Sequence, residues 1–224
     1  TAKLTRAQTA QTASVPFPIG GLNAKDAISA MAPEYAVTLD NWFIQPDGAT
    51  VRNGCKEHVT GLPAHVESLM CYRGGSGNRL FAASGTAFYD VTTPGAGSSS
   101  VTGLSNARWQ HVNFGTPGGQ YLYAVNGVDS PRLWDGATWQ AVTASSTPIA
   151  ITGVDPATFI GVNSYGSRLW FTQANTAKVW YLPTNSVGGV AQSIDFAQLF
   201  RMGGYLMGML TWTVDNANGL NDYA

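Results

Sequence analysis

The residues whose types could do chemistry are few, and their spacing argues against a shared site. The three histidines are His58, His65 and His111. None lies in a His-Glu-x-x-His run or beside a cysteine pair, and a structural zinc needs about four ligands at defined spacing. Loop or sheet-face histidines are the expectation. The two cysteines, Cys55 and Cys71, form no Cys-x-x-Cys pair and are too few for a disulfide framework. Two buried free thiols are expected, with a Cys55–Cys71 bridge as the alternative. Gly74-Gly75-Ser76-Gly77 lacks the Gly-Lys-Ser/Thr ending of a phosphate loop and no helix pattern follows it, so it reads as a hairpin turn. There is no Gly-x-Ser-x-Gly nucleophile elbow. In Asp215-Asn216-Ala217-Asn218-Gly219 the calcium-loop positions one, three and five would be Asp215, Ala217 and Gly219. Two of those carry no side-chain oxygen, which Ca²⁺ sites require, so an Asn/Gly turn is expected. Asp90, Asp135, Asp155 and Asp195 are the carboxylates from which a glycosidase pair would have to be drawn. Trp134, Trp139 and Trp180 would be the stacking platforms of a glycan-binding module, or else core residues of the repeats. The expectation is a chain with no catalytic, cofactor or metal site, and not an enzyme.

The elements that would position these residues follow from composition and periodicity. Of the 224 residues 44% are apolar, enough for a substantial core, and only 11% are charged, against roughly 25% in ordinary soluble domains. Gly and aromatic residues are abundant. This combination indicates an all-β chain that buries surface against partners. The formal net charge of -1 supplies no basic field for phosphates, so specific nucleic-acid binding is not expected. No stretch reaches the roughly 18 apolar residues of a membrane span, and the first residues lack a signal-peptide pattern.

The dominant signal is a repeat. Asn78-Arg79-Leu80-Phe81-Ala82-Ala83-Ser84, Gln120-Tyr121-Leu122-Tyr123-Ala124-Val125-Asn126 and Ser167-Arg168-Leu169-Trp170-Phe171-Thr172 each follow a Gly-containing turn and an earlier apolar run. Leu80, Leu122 and Leu169 are about 42 and 47 residues apart, a period that belongs to β-propeller blades or similar β-meander arrays. A third strand ends each copy: Thr86 to Val91, Arg132 to Val142 with a tight Asp135-Gly136 hairpin, and Lys178 to Pro183. Thr93 to Ser100 reads as a flexible loop. A fourth copy begins with a strand over 205–214 and stops within its second strand, which implies a longer protein or a partner that completes the sheet. The expected fold is therefore all-β, with propeller-like four-stranded meanders, three complete and a truncated fourth, over residues 61–224.

The repeats are preceded by two other segments. Residues 1–16 are small and polar and form an extended arm. Residues 17–60 carry a short helix from Lys25 to Met31 capped by Asn23, a helical turn from Pro33 to Leu39, and a hairpin. In that hairpin the strand Thr50 to Arg52 turns at Asn53-Gly54 into a return strand at Lys56 to Thr60.

This segment also carries a resemblance. Phe17-Pro18-Ile19-Gly20-Gly21-Leu22-Asn23-Ala24-Lys25-Asp26 is followed by Met31-Ala32-Pro33-Glu34-Tyr35-Ala36-Val37-Thr38-Leu39-Asp40-Asn41-Trp42-Phe43. Pro46-Asp47-Gly48 and Val51-Arg52-Asn53-Gly54 come next. These runs resemble the opening of the tail nozzle, or tail tubular, proteins of short-tailed bacteriophages, tightly over about the first 55 residues and by type alone over the repeats. The resemblance implies a homo-hexameric ring below the portal and its adaptor ring, assembled in the bacterial cytoplasm and carried in the virion tail. Such a ring retains the genome and then conducts DNA during ejection without binding it specifically. It carries over no catalytic residue and no cofactor.

Overall fold

A computed structural model of the chain describes residues 14–75, 77–216 and 219–223, with residues from 213 onward described by backbone alone. The chain divides into two compact units, the first ending at Lys56 and the second beginning at Glu57.

The first unit is built from very short elements. Gly21–Leu22 pairs in parallel with Tyr35–Ala36, and Trp42–Gln45 pairs antiparallel with Gly48–Val51 around Pro46-Asp47. Its one helical element is the 3₁₀ turn Ile28–Ala30. The helix expected from Lys25 to Met31 thus shrinks to one turn. Asn23 Oδ1 does accept from the Lys25 and Asp26 backbone N–H groups, but it closes a local Asx turn ahead of the element. So short a segment, with no apolar stripe to bury, cannot offset helix nucleation. The turn expected over Pro33–Leu39 is replaced by the strand Tyr35–Ala36. The hairpin also lies earlier than expected. Val51 pairs back with Trp42 across the Pro46-Asp47 turn, and Asn53-Gly54 joins no strands. No described residue of this unit is buried.

The second unit contains three four-stranded antiparallel sheets, each with its strands in chain order. The first holds β1 (Val66–Tyr72), β2 (Arg79–Ser84), β3 (Ala87–Asp90) and β4 (Ser98–Val101). In the second are β5 (Gln110–Thr116), β6 (Gly119–Val125), β7 (Arg132–Trp134) and β8 (Trp139–Ala141). The third is β9 (Phe159–Tyr165), β10 (Arg168–Gln173), β11 (Lys178–Tyr181) and β12 (Gln192–Asp195). Two parallel pairs, Val59–Thr60 with Gly95–Ala96 and Ile151–Thr152 with Gly189–Val190, tie loops together. A last hairpin joins Trp212–Asn216 to Gly219–Tyr223.

Strand alternation explains the core. On β6, Leu122 and Ala124 join Phe81 and Ala83 of the first sheet in one buried cluster, while Tyr123 and Val125 join Leu169 and Phe171 of the third sheet in another. The middle sheet is buried on both faces, which is why Tyr121 to Val125 is a continuous apolar run. Aromatic contacts fill both clusters. Phe81 lies 4.8 Å from Trp134 and 5.0 Å from Trp139, and Phe159 stacks on Phe171 at 4.4 Å. Hydrogen bonds also cross from sheet to sheet. Asn113 Nδ2 donates to the Cys71 carbonyl at 2.7 Å, and Asn113 Oδ1 accepts from the Arg73 N–H at 3.1 Å. Tyr72 donates through its hydroxyl to the Gln120 carbonyl at 3.3 Å.

Several expectations about the repeats change. The supposed loop from Thr93 to Ser100 contains the start of β4, which pairs with β3 through its backbone while its serines stay exposed. Val101 alone packs inward, too little to mark an edge strand in the sequence. The connection at Asp135-Gly136 is longer than a two-residue hairpin, because Trp134 pairs with Trp139 and the Asp135 N–H meets the Thr138 carbonyl. Two-residue turns lie instead at Gly85-Thr86, Pro117-Gly118 and Gly166-Ser167, the last of type I′. Both residues of that last turn have positive φ (56° and 57°), as a type I′ hairpin requires. Residues 205–211 form no strand, and the final hairpin begins at Trp212.

Candidate functional site

The residues singled out for chemistry turn out to be structural, and they are dispersed. Each of the four aspartates organises its own backbone. Asp90 accepts from the Thr92 N–H and pairs with Arg79 at 3.2 Å. Asp155 accepts from Ala157 N–H at the start of a 3₁₀ turn, and Asp195 does the same for Ala197. Asp135 receives four donors: the Ala137 and Thr138 N–H groups, the Thr138 hydroxyl and the Gln140 amide. Partial burial alone would raise its pKa, but these donors outweigh it and hold the carboxyl below its ordinary value. A carboxylate so saturated is a poor general base. It lines a surface depression of about 740 Å³ together with Tyr121, Gln140, Ile149, Asn185 and Val187.

The tryptophans are packing residues. Trp134 is buried, and Trp139 is half-buried against Phe81 and Phe88. Trp180 packs on the cluster between the second and third sheets and donates Nε1–H to Gln173 Oε1. Trp139 and Trp180 stay partly exposed while packing against the two buried clusters. His58 and His65 are exposed, with His58 Nε2 3.0 Å from the Val91 carbonyl, while His111 is half-buried on β5. Among the described residues no group of three or more His, Cys, Asp or Glu side chains could hold a metal ion. The 215–219 turn includes Ala217 and Asn218, which lie outside the described residues. Both cysteines are free, but Cys55 is exposed and Cys71 half-buried. Two buried thiols were expected; Cys55 lies in the first unit, where no core exists to cover it. The Gly74–Gly77 segment joins β1 to β2, as a hairpin turn should, with Ser76 outside the described residues. A Cβ on Gly74 would run into the Tyr72 ring and hydroxyl, so glycine there protects the Tyr72 bond to the second sheet. No helix among the described residues is long and apolar enough to cross a membrane.

Large apolar side chains are exposed in both units. In the first unit Phe17, Leu22, Tyr35, Val37, Trp42 and Phe43 are all exposed. In the second unit, the segment after the third sheet exposes Leu199, Met202 (98%), Tyr205, Met207, Leu210 (80%) and Trp212. That segment is anchored by the Leu206 N–H on the Thr176 carbonyl and by Asn163 Nδ2 on the Met209 carbonyl. Contiguous apolar patches larger than a few hundred Å² are where proteins tend to associate. Sequence reasoning missed this exposure because the run Tyr205 to Trp212 has the composition of a buried strand. No protein family, curated protein or solved structure matches the chain.

Proposed function

We propose that this chain is a structural subunit of a short-tailed bacteriophage tail, contributing to the nozzle ring through which DNA leaves the virion. One observation carries the reading. The residues that resemble the opening of nozzle proteins form their own unit, and their apolar side chains face outward. Phe17, Leu22, Tyr35, Val37, Trp42 and Phe43 are presented rather than packed, which suits an element that docks on an adaptor ring or a neighbouring subunit. The second unit supports the same reading. Its stacked four-stranded meanders are the material of β-propeller blades, and in this proposal they build the wall of the ring. A near-neutral chain suits a DNA conduit, since a basic lumen would retain the duplex by releasing its counterions. The engagement of Trp134, Trp139 and Trp180 in packing favours this structural reading over a glycan-binding module.

Negative-stain microscopy of the purified protein is the test. Six-fold rings or tapered tubes are expected, and removal of residues 1–15 is expected to weaken attachment to the tail machinery. Particles that stay single globules at every concentration would overturn the assignment.

A further inference from the structure

We infer that the depression between the second sheet and the loop following β11 binds a neutral, hydroxyl-bearing ring, the chemistry of a single sugar or of the end of a glycan chain. This goes beyond the structural role proposed above and does not rest on it. The site is also distinct from the tryptophans, since Trp134, Trp139 and Trp180 do not line it.

The cavity is preformed. Its volume of about 740 Å³ lies within the roughly 300–1,000 Å³ of small-molecule sites, and every residue lining it belongs to the second unit. Leu133 and Ile149, 1% and 5% exposed, line it from the buried cluster. Residues 185–189 form the facing wall, and the backbone holds them there. The Asn185 N–H donates to the Ser167 carbonyl at 2.8 Å and the Gly189 N–H to the Ala150 carbonyl at 2.7 Å. The Ser186 hydroxyl donates to the Gly188 carbonyl. Gly188 packs so tightly on Ile149 and Ala150 that a side chain there has no room. A wall fixed in advance spares a ligand the entropy of ordering it.

The polar groups decide what would bind. No Lys, Arg or His is among the lining residues, so a phosphate or carboxylate finds no countercharge. An ammonium group would have to compete with the four donors already on Asp135. What remains is neutral hydrogen-bonding capacity. Asp135 only accepts, so it fixes the Gln140 amide with Nε2 toward the carboxylate at 2.7 Å and leaves Gln140 Oε1 unspent. Among the described residues no hydrogen bond engages the Tyr121 hydroxyl or the Asn185 side-chain amide. A phenol and two carboxamides, each able to donate and accept, stand beside aliphatic and aromatic carbon. That combination suits a ring that carries hydroxyls at its edge and C–H groups on its face.

Saturation-transfer NMR tests this with the methyl glycosides of glucose, galactose and N-acetylglucosamine at millimolar concentration. At least one of them should receive saturation from the protein, and glucose 6-phosphate should receive less than methyl glucoside. Asn185→Gly removes the amide and keeps a residue at ease with the local φ of 56°. Gly118→Trp places an indole in the lining, where the new Cβ would meet the Tyr121 hydroxyl at an ordinary 3.7 Å. Each variant should bind the responding glycoside at least about tenfold more weakly, with a melting curve to verify the fold; Asn185→Gly alone carries the test if Gly118→Trp does not fold. Oligosaccharides of the responding sugar separate the two sources. Transfer to their terminal ring assigns the cavity to glycan chains, and transfer to the methyl glycoside alone assigns it to free sugars; either upholds the inference. No transfer to any of the three glycosides, transfer unchanged in the folded variants, or stronger transfer to the phosphorylated sugar overturns it.

Discussion

Tyr123→Phe should make the protein more stable. Tyr123 lies at the centre of the cluster between the second and third sheets, is 0% exposed, and packs its ring on Phe171 at 5.3 Å. Its hydroxyl is buried without a hydrogen-bond partner. An unpaired hydroxyl taken out of water costs about 1–3 kcal/mol. Phenylalanine keeps the ring contacts and loses that cost, so a gain of about 1 kcal/mol is expected after local relaxation. In urea this is a midpoint shift of roughly 0.5 M for a slope near 2 kcal/mol/M. The pH dependence gives a second reading. Burial pushes the phenol pKa far above its ordinary value of 10.0. Below that value the folded and unfolded states hold the proton equally. Above it the unfolded chain releases the proton and the folded chain does not, so stability falls as pH rises, by about 1.4 kcal/mol per pH unit. The variant lacks this loss, and its advantage should widen by that amount per unit above pH 10. A variant that is less stable at neutral pH, with a curve parallel to wild type at alkaline pH, would refute the reasoning and show a satisfied hydroxyl.

Gly188→Ala should destabilise the protein by about 1–3 kcal/mol, read from urea or thermal unfolding. The added Cβ would sit 2.8 Å from the Ile149 carbonyl carbon and 3.0 Å from the Ala150 oxygen, which are backbone atoms with little room to move. An unchanged midpoint would mean that the loop before Gly189–Val190 is not held where that pair puts it. His111→Gln should flatten the acid limb of the stability curve. Burial lowers the His111 pKa from 6.5, so its contribution is intact above that value and is lost as pH falls and the unfolded chain protonates first. Parallel curves for variant and wild type would show that the imidazole does not discriminate between the two states.

How much was legible in the sequence depends on which force shaped each part. The repeat was legible because it is written in side chains. Leu80, Leu122 and Leu169 recur with Gly turns and apolar runs, and each lands on the second strand of its sheet. β4 and β12 were illegible for the opposite reason. They pair through the backbone at sheet edges, with exposed serine, glutamine and aspartate side chains that look like loop. The first unit misled for a third reason. Asn23, Pro33 and Asn53-Gly54 carry strong local signals, but in a unit without a buried residue no packing selects helix or hairpin over alternatives of similar energy. The roles of Asp135 and Trp134 depend on contacts that only the fold reveals.

The period also contains more than a count of sheets. The middle sheet uses Leu122 and Ala124 on one side and Tyr123 and Val125 on the other, so every copy must have two different apolar faces. Natural β proteins blunt exposed edges with charge, short strands or covering loops, and charge is scarce here. Residues 58–64 cover part of the first sheet through the Ser84–Ala64 hydrogen bonds and the Val59–Thr60 pair, yet Leu69 stays open. On the last sheet the covering segment itself exposes Met202, Met207 and Leu210. The residue pattern that fills the interior thus also leaves large apolar side chains at the surface of the second unit.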